Sequence, residues 1–165
     1  MSLRSQFARL PRPTQSFDQR VVLVTGANTG LGLEAARYFV QLGAAKVILG
    51  CRNVAAGTAA AADISRTTGR DHVCEVWPVD LGDFASVKRF VERAQSLKQL
   101  NAVVANAGVA KTRYSQTEGM ETTIAVNVVG TFLLALGLLP LLKRSAAETG
   151  TAGHLVVVTS DVHRW

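Results

Sequence analysis

The chain has 165 residues, of which 48% are hydrophobic, and it carries a formal net charge of +6. A chain of this length can fold as one domain that buries roughly two-thirds of the surface exposed when it is unfolded. The basic residues are dispersed and form no cluster interleaved with aromatic residues, so no nucleic-acid partner is expected, although the positive charge suits an anionic small molecule. The two cysteines, Cys51 and Cys74, belong to no metal-binding pattern. We therefore expect reduced thiols and no metal.

The first 17 residues contain three arginines, no acidic residue and two prolines, Pro11 and Pro13. This composition weakly resembles a mitochondrial presequence, but the prolines interrupt the long amphipathic helix that a presequence requires. The segment also lacks the apolar core of a secretory signal. We therefore predict a surface arm over residues 1–17, a folded domain over residues 18–165 and a cytoplasmic location.

The most informative segment begins with five residues typical of a buried strand, 21–25, with the sequence VVLVT. Three glycines follow, Gly26, Gly30 and Gly32, and residues 33–42 then have the apolar spacing of an amphipathic helix. A strand, a glycine turn and a helix in this order let a pyrophosphate approach bare backbone at a helix N-terminus. Unpaired N–H groups and the helix dipole favour negative charge there. The segment therefore predicts nucleotide binding.

Strands and helices alternate along the rest of the chain. Short apolar runs predict strands, and apolar spacings of three and four residues predict helices. The last two predicted strands are almost entirely apolar, as expected of strands covered on both faces. The alternation predicts an α/β fold, a Rossmann-like doubly wound parallel sheet of about five strands. Together with the glycine turn, it predicts that residues 18–165 form a dinucleotide-binding domain. The further predicted strands are 46–50, 73–79, 102–105 and 155–159, and the further predicted helices are 55–64 and 84–97.

Residues 122–142 contain no charged residue and are long enough to span a membrane. Asn127, Pro140 and several threonines and glycines interrupt the segment, and a helix is already needed between the fourth and fifth strands. We therefore predict a buried interior helix and no membrane span. A polar loop is predicted to follow over residues 145–153.

The glycine spacing G-x-x-x-G-x-G differs from the G-x-G-x-x-G of the common dinucleotide fingerprint. Residues 25–32, TGANTGLG, resemble the TGxxxGxG turn of the short-chain dehydrogenase/reductase family. Residues 27–37 and 160–165 also resemble retinol-dehydrogenase-like members and members from fungal secondary metabolism. The resemblance implies cofactor contacts by Gly26, Asn28, Thr29, Gly30, Leu31 and Gly32.

Two later segments resemble further cofactor-binding motifs of this family. Asp80 and Leu81 follow the third predicted strand and are similar to the family's acidic residue beside the adenine ring and its neighbour. Alternatively, Asp80 caps the helix that follows. Asn106, Ala107 and Gly108 follow the fourth predicted strand and resemble the family's NAG motif at the cofactor floor. Alternatively, they form a plain turn, since Asn and Gly tolerate left-handed backbone.

Two polar residues are candidates for catalysis. Asn127 lies within an otherwise apolar helix, where an amide without partners would cost about 1–3 kcal/mol. In the resembled family an Asn on this helix supports a water of the proton relay, and the alternative is a buried amide that satisfies a kinked backbone. Ser160 follows the fifth predicted strand, where open α/β sheets place ligand contacts. It resembles the family's catalytic serine, which hydrogen-bonds the substrate carbonyl or hydroxyl, and the alternative is a hydroxyl that caps a turn.

The end of the second predicted strand decides between the two nicotinamide cofactors. A carboxylate there would hold the ribose 2′-hydroxyl, whereas a basic residue would accept a 2′-phosphate. The chain has Arg52 and no acidic residue at this point. Because a guanidinium forms forked hydrogen bonds with phosphate, NADP(H) is predicted in preference to NAD(H).

The resemblance also implies residues that these 165 positions do not contain. Family members carry, after the serine, a Tyr followed four residues later by a Lys, and this Tyr exchanges the proton that carbonyl reduction requires. Here Tyr38 and Tyr114 are followed at that spacing by Leu42 and Glu118. We therefore expect a fold cut short, in which part of the apolar helix is exposed. Poor solubility or a homo-oligomer formed through residues 118–142 would follow.

By resemblance, the predicted function is that of an NADP(H)-dependent oxidoreductase acting on a carbonyl or alcohol of a small-molecule substrate. Activity of this chain alone is not expected, because the Tyr and Lys are missing. Two alternatives stay open: a non-catalytic nucleotide-binding or interaction module, and an inert product of a truncated gene.

Overall fold

The computed structural model describes residues 12–160, in which a parallel sheet is flanked by helices. The strands are β1 (Val21–Thr25), β2 (Lys46–Cys51), β3 (Cys74–Pro78), β4 (Ala102–Ala105), β5 (Gln116–Thr117), β6 (Met120–Glu121) and β7 (His154–Val157). The helices are α1 (Gly30–Gln41), α2 (Val54–Thr68), α3 (Phe84–Gln95) and α4 (Thr122–Thr149). Five strands form one sheet in the order β3-β2-β1-β4-β7 with every pair parallel, and β5 and β6 form a separate hairpin. The predicted Rossmann-like sheet is confirmed.

Parts of two predictions lie outside the described residues: positions 1–11 of the arm, and positions 161–165 of the second subfamily segment. Residues 12–16 are exposed. Phe17 packs edge-on against Phe39 of α1, with ring centroids 4.8 Å apart. The chain is therefore in contact with the folded domain from Phe17 onward.

The central strand β1 contributes side chains to both faces of the sheet. Val22 and Val24 pack on one face with Val40 of α1 and Ile64 of α2. Leu23 packs on the opposite face, in the cluster formed with α3 and α4. This alternation covers both faces of the sheet with helices, as a doubly wound fold requires.

Helix α4 runs further than predicted, so the predicted polar loop over residues 145–153 is wrong in its first part. Ser145 is fully buried, and its hydroxyl donates to the Leu141 carbonyl and accepts the Leu100 N–H, both at 2.8 Å. The helix ends only before Gly150, whose φ of 65° is a left-handed conformation that ends helices. A tertiary contact therefore turns a serine that reads as loop into a helical core residue.

The predicted burial of the last strand on both faces is wrong, whereas the predicted exposure of part of the apolar helix is observed. β7 is an edge strand, and Val156 is 50% exposed. Part of α4 is exposed as well. We call its exposed apolar residues the outer stripe. They are Ile124, Val128, Phe132 and Leu136, which are between 45% and 64% exposed.

By length and composition, α4 could cross a membrane. Of its most apolar stretch of 18 residues, 44% is buried inside the protein. The core helix of a globular protein meets the same criterion. Here Leu134, Leu138 and Leu141 of α4 are fully buried against the sheet and α3. The feature is therefore weak evidence for a membrane span.

Candidate functional site

The candidate site lies at the carboxyl ends of β1 and β4. The chain leaves β1 toward one face of the sheet through α1, and it leaves β4 toward the other face through α4. Where the chain leaves two neighbouring strands toward opposite faces of the sheet, a crevice forms at the ends of those strands. Ligands usually bind there in open α/β sheets. A cavity of about 360 Å³ occupies it. Its lining consists of Gly26, Asn28, Thr29, Gly50, Arg52, Val79, Asp80, Leu81, Asn106, Ala107, Gly108, Val109 and Val126.

The glycine turn needs its glycines for two different reasons. Gly26 and Gly30 have φ values of 65° and 56°, which other residues rarely adopt. A Cβ on Gly32 would overlap the Gly26 carbonyl oxygen and lie 2.5 Å from Asn106 Nδ2. Gly32 therefore lets α1 start in direct contact with the turn, which leaves backbone as the surface that faces a ligand.

The N-terminus of α1 differs from those of α2 and α3. Asn53 Oδ1 accepts the Ala56 N–H at 3.0 Å, and Asp83 Oδ1 accepts the Ser86 N–H at 3.0 Å, so α2 and α3 are capped by side chains. The latter bond holds the pKa of Asp83 below its usual range. Thr29 stands at the same position of α1 but makes no side-chain cap, and the first turn holds no acidic residue. Its N–H groups therefore suit an anionic ligand at the cavity.

Thr25 joins the glycine turn to the segment after β4. Its hydroxyl accepts the N–H groups of Asn106 and Ala107 at 3.1 and 3.0 Å, and its carbonyl accepts Asn106 Nδ2 at 3.0 Å. Thr25 is fully buried. The sequence reasoning did not include it among the site residues, although it is the first residue of the TGxxxGxG pattern.

Asp80 lies at the cavity and is not the cap of α3, a role that belongs to Asp83. The Asp80 Oδ1 atom accepts the Gly82 N–H at 2.8 Å, and the Asp80 N–H donates to Ser86 Oγ at 3.1 Å. Within residues 12–160 the Oδ2 atom has no hydrogen-bond partner. The neighbouring Leu81 is 4% exposed and adds an apolar surface. One oxygen of Asp80 is thus fixed while the other stays available.

Arg52 lines the same cavity and is exposed. Its guanidinium makes no ion pair or hydrogen bond to any residue between 12 and 160. Arg37 and Arg93, by contrast, each pair with a carboxylate. An unpaired guanidinium beside a cavity is suited to an anionic group of a ligand.

Cys51 is buried and Cys74 is partly buried. Burial raises the pKa of Cys51, and the hydrogen bond that its sulfur accepts from the Ala27 N–H lowers it by less. Burial raises the pKa of Cys74 to about 11. The described residues contain no group of three or more His, Cys, Asp or Glu that could hold a metal.

Asn127 lies in the π-helical turn of α4, Ala125–Gly130. Its Oδ1 accepts the Val109 N–H and its Nδ2 donates to the Val109 carbonyl, both at 2.8 Å. The amide is thus satisfied by the backbone of the segment after β4. The preceding residue, Val126, lines the cavity instead.

The structure brings most of the predicted site residues together at the cavity, but not all. Leu31 is 78% exposed and outside the lining, and Ser160 lies in the exposed segment after β7. Gly30, Gly32 and Asn127 shape the surroundings without lining the cavity. Four lining residues were not predicted, although each lies at or near the carboxyl end of a strand or in the apolar helix. They are Gly50, Val79, Val109 and Val126.

The fold and the position of the cavity define a Rossmann-like α/β domain. The short chain dehydrogenase family model matches residues 20–164. The chain therefore belongs to the short-chain dehydrogenase family, as its motifs predicted.

Similar proteins come from fungi and bacteria. The chain is 48% identical to the short chain dehydrogenase atnD of Emericella nidulans, over 96% of this chain and 51% of that protein. It is 39% identical to the short chain dehydrogenase FGM9 of Gibberella zeae, over 98% of this chain and 48% of that protein. The chain thus spans about half the length of these curated relatives.

Solved structures show the same fold. The RhlG/NADP active-site complex of Pseudomonas aeruginosa has a TM-score of 0.74 and 28% identity, over 90% of this chain and 57% of that one. The short chain dehydrogenase of Shigella flexneri has a TM-score of 0.76 and 31% identity, over 93% of this chain and 60% of that one.

Proposed function

We propose that this chain binds NADP(H) and forms the cofactor-binding part of an oxidoreductase that acts on a carbonyl or alcohol group of a small molecule. The observation that carries the preference for NADP(H) is the unpaired guanidinium of Arg52 at the cavity. No carboxylate stands at the end of β2 to bind a ribose 2′-hydroxyl. The complex of RhlG with NADP supports the same cofactor.

The residues at the cavity fit a dinucleotide. The glycine turn and the uncapped start of α1 would hold the pyrophosphate through backbone N–H groups. A Cβ at Gly32 would overlap the Gly26 carbonyl oxygen, so only glycine lets α1 start this close to the turn. The free oxygen of Asp80 would accept a hydrogen bond from the adenine amino group, and Leu81 would pack on the ring. Asn106, Ala107 and Gly108 would form the floor of the site.

We propose that Asn127 and Ser160 act in catalysis only within the whole oxidoreductase. NADPH supplies a hydride when it is bound, and the reduced carbonyl then needs a proton donor. Neither Tyr38 nor Tyr114 has a Lys four residues later. We therefore propose that the 165 residues alone bind the cofactor without turnover. NADPH consumption by this chain with aldehydes or ketones would contradict that.

We also propose that the chain associates with itself through the outer stripe of α4, because an apolar patch of this kind favours association over exposure to water. A cytoplasmic location is proposed as well, since the free Cys51 and Cys74 suit a reducing compartment.

The test of cofactor binding compares NADPH and NADH by isothermal titration calorimetry. Arg52→Ala should weaken NADPH binding by roughly 10- to 100-fold, because a charged hydrogen-bonding partner of the 2′-phosphate is removed. NADH binding should change by less than about twofold, since it has no 2′-phosphate. Lys143→Ala, at an exposed position of α4, removes the same charge away from the cavity and should leave both affinities unchanged. Equal losses for the two cofactors in Arg52→Ala would contradict the proposal.

A further inference from the structure

The short hairpin formed by β5 and β6 contacts the start of α3, which lies 34 residues earlier in the chain. Its turn residues, Glu118 and Gly119, have φ values of 51° and 74°. Two successive positive φ values are typical of a tight hairpin turn, and they are uncommon for a residue such as Glu. The Glu118 carboxylate accepts the N–H of Phe84, the first residue of α3, at 3.0 Å.

A second contact joins the same hairpin to the turn before α3, residues 80–83. The Thr117 hydroxyl donates to the Gly82 carbonyl at 3.1 Å. Asp83 caps α3 through the Ser86 N–H, so Glu118 pairs a different N–H of that helix end. The two hairpin contacts therefore add to the local capping and do not duplicate it.

Helix α4 holds the 80–83 turn from another direction. A Cβ on Gly130 would overlap the Leu81 carbonyl oxygen, so the helix backbone lies directly against the turn. The Val126 side chain lies 3.3 Å from the place where a Cβ of Gly82 would be. The 80–83 turn is thus in contact with the hairpin and with the π-helical part of α4.

Gly82 links the hairpin to the cavity wall. Its carbonyl accepts the Thr117 hydroxyl, and its N–H donates to Asp80 Oδ1 at 2.8 Å. Asp80 and Leu81, the two residues before it, line the cavity. A displacement of Gly82 would therefore reorient the Asp80 carboxylate.

We propose that Thr117 and Glu118 are positioning residues that fix the 80–83 turn, and through it Asp80 and Leu81, for binding the adenine end of the cofactor. The part of this inference that concerns binding rests on the proposed NADP(H) function. The hairpin would act without touching the nucleotide, since neither residue lines the cavity.

The test uses a double variant, Thr117→Val with Glu118→Ala, which removes both contacts. Its matched control, Thr117→Ser with Glu118→Gln, keeps a hydroxyl donor and a carbonyl acceptor at the same places. Hydrogen exchange of the amides of residues 82–84 is measured without nucleotide, and the dissociation constants of NADPH and adenosine 2′,5′-bisphosphate are measured on folded protein. The double variant should raise exchange and weaken both ligands by about tenfold, as expected for two lost hydrogen bonds. The control should stay within about twofold of the wild type.

The outcomes separate the inference from the proposed function. Unchanged exchange in the double variant would overturn the positioning role, whatever the nucleotide does. Faster exchange with unchanged affinities would overturn the link between the hairpin and binding. If the wild type bound neither ligand, the proposed function would fail, while faster exchange would still support the positioning of the turn. Equal losses in the control would show that the two hydrogen bonds are not the cause.

Discussion

The two edges of the central sheet differ in how their outer strands are covered. At one edge, Trp77 of β3 is 3% exposed, and the Arg93 guanidinium lies 4.1 Å from its ring centroid. Glu75 on the same strand pairs with Arg93 at 3.1 Å. At the other edge, Val156 and Val157 of β7 are 50% and 36% exposed. The β3 edge is therefore covered by side chains of its own strand and of α3, whereas the β7 edge presents apolar surface to solvent.

The largest effect is expected at the glycine turn after β1, away from the exposed β7 edge. In Gly32→Ala the added Cβ overlaps the Gly26 carbonyl oxygen, so α1 must move away from the turn. We expect NADPH affinity to fall on the order of 100-fold, because hydrogen bonds from the displaced N–H groups to a charged ligand are lost. Calorimetric titration at a temperature where the variant is folded measures this.

The control for Gly32→Ala is Gly69→Ala, which places an alanine in a left-handed backbone conformation far from the cavity. Gly69 ends α2 with a φ of 68°, and no atom would lie within 4 Å of its Cβ. We expect a loss of about 1 kcal/mol in the free energy of unfolding and an unchanged NADPH affinity. Equal losses of NADPH affinity in both variants would contradict the claim that binding depends on the packing of α1 against the glycine turn.

A second effect is expected on the β7 side. Phe132 belongs to the outer stripe and is 51% exposed. If the stripe mediates self-association, Phe132→Glu would bury a carboxylate in an apolar contact, and association should weaken on the order of 100-fold. Sedimentation velocity over a concentration series measures this, with NADPH affinity per chain unchanged. Tyr38→Glu on α1 is the control, and an identical association profile in wild type and Phe132→Glu would refute the role of the stripe.

The smallest effect concerns acid stability at the β3 edge. The hydrogen bond from Lys46 is the largest cause that holds the pKa of Glu75 below its usual range, followed by the bond from Trp77. Because the folded-state pKa is the lower one, this stabilisation is present at neutral pH and is lost as the pH falls through the usual Glu range and then the folded-state value.

Glu75→Gln should therefore flatten the decline of the free energy of unfolding below about pH 5. Both partners are partly exposed, at 41% for Lys46 and 40% for Glu75, so solvent screens the pair. We expect a total of about 0.2–1 kcal/mol, as for other exposed ion pairs. Urea denaturation between neutral and acidic pH measures it, and a steeper decline in the variant would contradict the assignment.

Local sequence patterns predicted the parts of the fold that depend on local signals. The apolar run before Gly26 and the glycine spacing were sufficient for β1, the turn and α1. The burial of Ser145 depends on Leu100, which lies 45 residues away, so a local pattern could not predict that α4 continues through it. The role of Thr25 depends likewise on contacts with Asn106 and Ala107. The exposure of β7 depends on which strands neighbour it, which alternation of residue types does not encode.

The central claim is that the cavity at the ends of β1 and β4 binds NADP(H) independently of the exposed β7 side. Backbone amide NMR of the 165-residue chain during titration with NADPH tests it most directly. We predict shifts at Gly26, Arg52, Asp80 and Asn106, and unchanged signals from Val156 and Leu136. The absence of shifts at the cavity, or shifts confined to the outer stripe and β7, would contradict the claim.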